Sequence, residues 1–163
     1  MSETTREEIL HSGEVFHLWS YLEDAKAYLV TLQVLINHTE DDDLKLLLED
    51  FYENCLTEEH DEVEMIMKET GIRLPPAPPE RPNVELQDIP AGARFLDAEI
   101  ATLVQKELLN GRMICSYITG IASHEDIRTL FEDFHTQKAT YEQKLLAITK
   151  EKGWYVSPPI NIK

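Results

Sequence analysis

The residues in this sequence that could do chemistry are carboxylates at helical spacing. The densest group is Leu56-Thr-Glu-Glu-His-Asp-Glu-Val63, inside a long stretch of apolar periodicity. Continuing the stripe of Phe51 and Cys55 by threes and fours turns Glu59 and Glu62 towards a core. Glu107 falls beside Val104 and Gly111 in a second such stretch, and Lys26 and Lys138 interrupt two others. A carboxylate withdrawn from water must be paired, protonated or metal-bound. Two arrangements meet that demand. In the first, Lys26 and Lys138 neutralise these carboxylates, or carry their ammonium groups outward past a wide stripe. In the second, Glu59, His60, Glu62 and Glu107 form a degenerate site for iron or manganese. The first is the expectation and the second its alternative.

One further pair has metal-ligand spacing. Glu132-Asp-Phe-His135 is the Glu-x-x-His by which carboxylate-bridged helical bundles hold their ions. Its counterpart, Glu49-Asp-Phe-Tyr52, lacks the imidazole. Phe131 and Phe134 define a buried direction from which Glu132 points away, so the pair reads as a solvated flank with a half-exposed histidine. The other histidines, His11, His17, His38, His60 and His124, show no His-Glu-x-x-His spacing. Nucleophile elbows, glycine-rich phosphate loops and Cys-x-x-Cys are absent from the sequence. Cys55 and Cys115 read as reduced core thiols, with a disulfide between neighbouring helices as the rival. No catalytic, cofactor-binding or metal residue is therefore assigned, no cofactor is called for, and no enzyme is expected.

The elements that must position these groups are four amphipathic helices, predicted over 12–37, 41–70, 97–121 and 124–152. Ser12, Thr39, Asp97 and Ser123 are the predicted N-caps, and Gly13 a break after a short acidic helix over 4–10. Gly71 and Gly153 follow the second and fourth helices as left-handed terminators. Gly111 stands in mid-helix, where glycine costs about 1 kcal/mol against alanine, so a close approach is expected there. Trp154-Tyr155-Val156-Ser157-Pro158-Pro159-Ile160, in the tail 153–163, is aromatic enough to be expected back on the bundle.

Between the second and third helices lies a crossover, 71–93, with prolines at 75, 76, 78, 79, 82 and 90. These exclude helix and central strand and favour a stiff polyproline path. At ~3 Å per residue such a path can travel the ~45 Å of a thirty-residue helix. Two short links make two antiparallel hairpins, and one long crossover lets the third helix run parallel to the second. The prediction is one all-α domain, a four-helix bundle with the connection plan of ferritin-like folds. The two hairpins also look alike. Leu48-Glu-Asp-Phe51 parallels Phe131-Glu-Asp-Phe134, and Lys68-Glu-Thr-Gly71 parallels Lys150-Glu-Lys-Gly153. The second match is out of step with the first by one residue, which one helical bulge would absorb.

The 163 residues carry 31 acidic and 15 basic side chains, a formal net charge of −16. That argues against nucleic acid and against anionic membranes as partners. Protein partners, a basic one or a second copy, remain as the expectation. No apolar run is long enough to span a bilayer. Met-Ser-Glu-Thr-Thr-Arg-Glu-Glu lacks the layout of a secretory signal, so a place in the cytoplasm is expected rather than secretion.

Four strings are more distinctive than any helical stripe: Ser12-Gly-Glu-Val-Phe-His-Leu-Trp19, Pro75-Pro-Ala-Pro-Pro-Glu-Arg-Pro82, Ile89-Pro-Ala-Gly-Ala-Arg-Phe-Leu-Asp-Ala-Glu-Ile-Ala101 and Lys150-Glu-Lys-Gly-Trp-Tyr-Val-Ser-Pro-Pro159. Together they resemble an uncharacterised ferritin-like family of spore-forming bacilli, akin to spore coat protein F. The resemblance covers nearly the whole chain. It implies a ferritin-like bundle and an association with the spore coat, as a structural or interaction protein, and it transfers no catalytic residue.

Overall fold

The structure is a computed structural model and describes residues 9–161. Its helices are α1 (Ser12–His38), α2 (Asp42–Phe51), α3 (Thr57–Glu69), α4 (Asp97–Ile121) and α5 (Glu125–Glu151), with no strand among the described residues. A π-helical turn, Tyr52–Leu56, joins α2 to α3 as one continuous rod, so the bundle has four rods. The acidic segment predicted over 4–10 lies, apart from its last two residues, outside the described residues.

Contacts at the two ends set the directions of the rods. At one end His11 Nε2 meets the Ile121 carbonyl at 3.2 Å, and Trp19 Nε1 donates to the Arg73 carbonyl at 3.1 Å. At the other end the Asp97 carboxylate accepts from the backbone N–H groups of Glu40 and Asp41, at 2.9 and 3.0 Å. There too Lys152 pairs with Asp41 and Asp43, at 3.1 and 2.7 Å. The α2–α3 rod and α4 thus begin at the same end and run the same way.

The crossover must climb the whole bundle to allow this, and it climbs along α1. Lys26 Nζ donates to the Pro75 carbonyl at 3.0 Å, Gln33 Oε1 accepts from Arg81 N at 2.8 Å, and Asn37 both donates to the Pro82 carbonyl at 3.0 Å and accepts from Val84 N at 3.1 Å. Prolines have no N–H and keep the strap extended, so polar side chains of α1 reach out to its carbonyls instead. Short 3-10 turns, Leu86–Asp88 and Ala91–Ala93, then carry the chain towards α4.

Helix starts differ from those predicted by local cap residues. His11, not Ser12, caps α1: its Nδ1 accepts from Glu14 N, and the Glu14 carboxylate accepts from His11 N, both at 3.1 Å. Gly13 therefore sits in the first turn and is no break. Asp41, not Thr39, caps α2 through Leu44 N at 3.0 Å, while the Thr39 hydroxyl donates back to the Leu35 carbonyl. Asp97 lies inside α4, whose Leu96 N–H is taken by Glu99 at 2.8 Å. Ser123 gives way to His124, whose N–H donates to Glu14 Oε2 at 3.0 Å. In two of the four cases the physical reason is tertiary. A carboxylate from another helix satisfies the end groups, or the candidate cap is itself spent on another helix.

Helix ends follow the sequence closely. Gly71 and Gly153 have φ of 72° and 74°. In each case the glycine N–H bonds back three residues, and the following N–H bonds back five, Ile72 to Met67 and Trp154 to Thr149. This is the Schellman closure, in which glycine escapes the Cβ clash of the left-handed region. The repeated Lys-Glu-x-Gly is thus one structural device used twice. The one-residue slip between the repeats falls where the π-turn inserts its extra residue.

The tail follows the prediction only at its start. Trp154 packs against the core beside Leu145, whereas Val156 and Ile160 are 88% and 83% exposed. The residue after a left-handed terminator commonly makes an apolar contact; Tyr155 is still held, its N–H donating to the Thr149 carbonyl at 3.1 Å and its ring 5.5 Å from the Lys150 ammonium, and from Val156 the chain is exposed. Removing 154–163 is expected to lower stability by about 1–3 kcal/mol, the scale of a partly buried tryptophan, whereas removing 156–163 leaves the thermal midpoint unchanged. Melts of both truncations followed by circular dichroism check this.

Glu14 gives a pH prediction. It is 1% exposed. Burial pushes its carboxyl up, but the backbone N–H groups of His124 and His11 and the His11 ring outweigh burial, so it titrates below its ordinary 4.5. A folded value below the unfolded one gives stability that is present above pH 4.5 and lost as pH falls through the folded value. Glu14→Gln should flatten the stability profile below pH 4.5, as read from urea midpoints against pH.

Candidate functional site: a buried polar layer between two apolar clusters

The core is divided. One cluster gathers Leu32, Leu35, Leu44, Leu48, Phe51 and Leu108, with Cys55 at its edge. The other gathers Leu18, Leu22, Val63, Met67, Phe131 and Phe134, with Tyr21 and Cys115 at its edge. Between them lie Glu59 and Lys138, 2% and 4% exposed.

These groups form one hydrogen-bonded chain. Lys138 Nζ donates to Glu59 Oε2 as a buried ion pair and to the Tyr21 hydroxyl at 3.0 Å. The Tyr21 hydroxyl donates to the same Glu59 oxygen at 2.9 Å. Cys55 Sγ donates to Glu59 Oε1 at 3.6 Å, and Cys115 Sγ to the Tyr21 hydroxyl at 3.7 Å. The ammonium also stands 5.6 Å from the centre of the Tyr21 ring and 6.0 Å from that of Phe134.

Each helix contributes for a local reason. Cys55, Glu59, Val63 and Met67 follow one another by fours, so Glu59 stands in line with buried residues, while Glu62, one residue before Val63, is exposed. The π-turn sits just ahead of Glu59, its Tyr52 carbonyl taken by both the N–H and the hydroxyl of Thr57, the latter at 2.7 Å. On α4 the expected close approach at Gly111 is made by the Lys138 stem. A Cβ there would meet Lys138 Cε at 2.6 Å and Cδ at 3.0 Å.

Burial sets the protonation of the uncharged members. It pushes the Tyr21 phenol well up, with Glu59 and Cys115 adding to it, so Tyr21 stays a donor. It pushes the Cys55 thiol far up, with Glu59 adding, and the Cys115 thiol to about 11. Both are free and buried, hence thiols rather than thiolates at neutral pH.

Of the residues picked from the sequence, only Glu59 and Lys138 meet. Lys26 does not join them, since it pairs with Glu64 at 3.5 Å and holds the strap. His60 turns to Asp61 and Glu64, at 2.9 and 3.1 Å. Glu107 is half-buried, and burial and Asp24 push its carboxyl up while Lys138 opposes them. Glu132 is exposed, His135 half-buried, and Tyr52 accepts a hydrogen bond from Gln33. Among the described residues, no three of His, Cys, Asp and Glu converge as ligands for an ion. Tyr21 was not among the residues picked from the sequence, although it lies three residues after Leu18, a spacing that points inward.

A family model described as "Protein of unknown function (DUF3231)" matches residues 1–163. The chain belongs to the DUF3231 family. It is 42% identical over 163 residues to the uncharacterized protein YvdQ of Bacillus subtilis (strain 168), covering all of this chain and 95% of YvdQ. It is similar to a crystal structure described as "a putative spore coat protein" of Bacillus halodurans C-125, at a TM-score of 0.94 and 38% identity, over 98% of this chain and 100% of that one. A conserved hypothetical protein of Mycobacterium tuberculosis shares the fold, at a TM-score of 0.71 and 14% identity, over 92% of this chain and 98% of that one. The resemblance read from the sequence strings therefore holds for this DUF3231 member, and the all-helical bundle with it.

The ion pair predicts a strongly unequal mutational pattern. Lys138→Met leaves the Glu59 charge buried alone and is expected to cost about 3–5 kcal/mol, while adding Glu59→Leu recovers most of it. Equal losses in the single and double variants, read by urea denaturation, would refute this. The glycines of α4 give a second contrast. Gly111→Ala should destabilise by displacing Lys138, whereas Gly120→Ala, with open space around its Cβ, should stabilise by up to about 1 kcal/mol.

Proposed function

We propose that this DUF3231 protein is a non-enzymatic structural component of the spore coat that works by association with other protein surfaces. The observation that carries this reading is the closed interior. The buried layer between the two apolar clusters is partnered within itself, Lys138 on Glu59 and Tyr21, Cys55 on Glu59 and Cys115 on Tyr21. The neighbouring space between Leu48, Phe51, Val104, Leu108, Tyr141 and Leu145 is too small to hold a water molecule. An enzyme needs a concave site and reactive groups within reach of a substrate. The description of the Bacillus halodurans relative supports the coat as the location.

A second reading, a ferritin-like protein holding iron or manganese on carboxylates, draws on the single crossover and on Glu107, a half-buried carboxylate near Lys138. In the proposed reading the Lys138 ammonium stands where such a bundle would place its cation. Elemental analysis of protein purified without chelator is expected to find iron and manganese far below one ion per chain. A stoichiometric ion that disappears in Glu59→Ala or Glu107→Ala would replace the first reading with the second. A fluorescent fusion in a sporulating host is expected to ring the forespore and to stay with the extracted coat fraction. A diffuse signal throughout sporulation would remove the coat assignment.

A further inference from the structure

The surface of α4 differs from every other helical surface of the molecule. The exposed positions of α3 include Glu58, Asp61, Glu62 and Glu69, and those of α5 include Glu125, Asp126, Glu132 and Asp133. From Thr102 to Gly120 the exposed positions of α4 carry no carboxylate, and Lys106 is their one charge. Glu107 turns inward and is half-buried, and Arg112 is half-buried against Glu142 at 2.8 Å.

What α4 exposes instead is apolar. Leu103, Leu109, Met113, Ile114 and Tyr117 all face solvent, and Phe16 of α1 joins them through His17, whose ring is 5.2 Å from Phe16 and 5.0 Å from Tyr117. At ~200 Å² for each large side chain fully exposed, the six together offer on the order of 600 Å², near the ~800 Å² per partner of a stable interface. Scattered exposed apolar residues are ordinary, but a contiguous stripe of this size is a contact surface.

Charge decides what covers it. A basic protein would be drawn to the acidic faces of α3 and α5, not to the face with a single lysine. A second copy of this chain carries the same charge of −16 and can approach only where carboxylates are missing on both sides. We propose that α4 is the face of a two-fold homodimer, in which the α4 helices of the two copies pack antiparallel along the Leu109–Met113–Tyr117 line. A dyad between Gly111 and Arg112 brings Lys106 of each copy to Tyr117 of the other, an ammonium onto an aromatic face. The proposal is independent of the coat assignment.

Sedimentation equilibrium of the full chain tests it. The mass is expected to approach twice 18.8 kDa at micromolar concentration. Because only screened charge repulsion opposes the contact, association should strengthen as salt rises from about 0.05 to 0.5 M. Met113→Glu and Tyr117→Glu place a carboxylate twice in the interface and should each weaken it about a hundredfold. The control Thr136→Glu on α5 should leave it unchanged. All three sites are exposed, so thermal melts of the variants report whether the fold survives. A chain that stays monomeric to about 0.2 mM, association that weakens with salt, or a dimer untouched by both α4 substitutions would each overturn the proposal.

Discussion

One charged amine inside the bundle constrains everything around it. Lys138 cannot reach water from the middle of α5, so a carboxylate must meet it, and Glu59 does. A pair taken out of water is seldom a net source of stability, but its partners must all be present once it exists. The Tyr21 hydroxyl accepts one hydrogen bond from the ammonium. The two cysteines cap the remaining lone pairs of the glutamate and the phenol. Gly111 is glycine because the lysine stem crosses α4 there. All four rods are thereby tied to one register, and the apolar clusters on either side cannot slide past each other without uncovering a charge.

The second organising feature is the strap. Its prolines do not merely avoid secondary structure. They leave carbonyls without neighbouring donors, and α1 supplies the donors in ascending order: Trp19, Lys26 and Asn37. Climbing α1 brings α4 to the same end as α2, where Asp97 receives the N–H groups of Glu40 and Asp41. Two like hairpins then close around the polar layer, one with a π-turn that the other lacks.

These features bear on function through what they leave free. The interior is committed to holding itself together, and the acidic faces of α3 and α5 keep like molecules apart. The surface of α4 from Thr102 to Gly120, which exposes no carboxylate, is the contact face of the proposed dimer. Kinship to the Bacillus halodurans relative assigns no chemistry to any residue.

Much of this was legible in the residues themselves. Apolar periodicity gave four rods, Gly71 and Gly153 their ends, and the prolines the crossover, because each depends on backbone geometry within a few residues. The misalignment of Phe51 and Phe134 against Gly71 and Gly153 even announced the bulge. Periodicity also drew Glu59, Glu62 and Glu107 inward together; Glu59 is buried and Glu107 half-buried, but Glu62 is exposed. An angular position on a helix says which way a side chain leaves the axis, not what stands opposite. Whether Lys138 or Lys26 would reach Glu59, and whether Ser123 or Glu14 would serve the start of α5, turned on distances between elements far apart in the chain. Local spacing determined the rods and their ends. Only packing decided which buried charge met which, because a pair of charges is defined by the space between helices and not by position along either one.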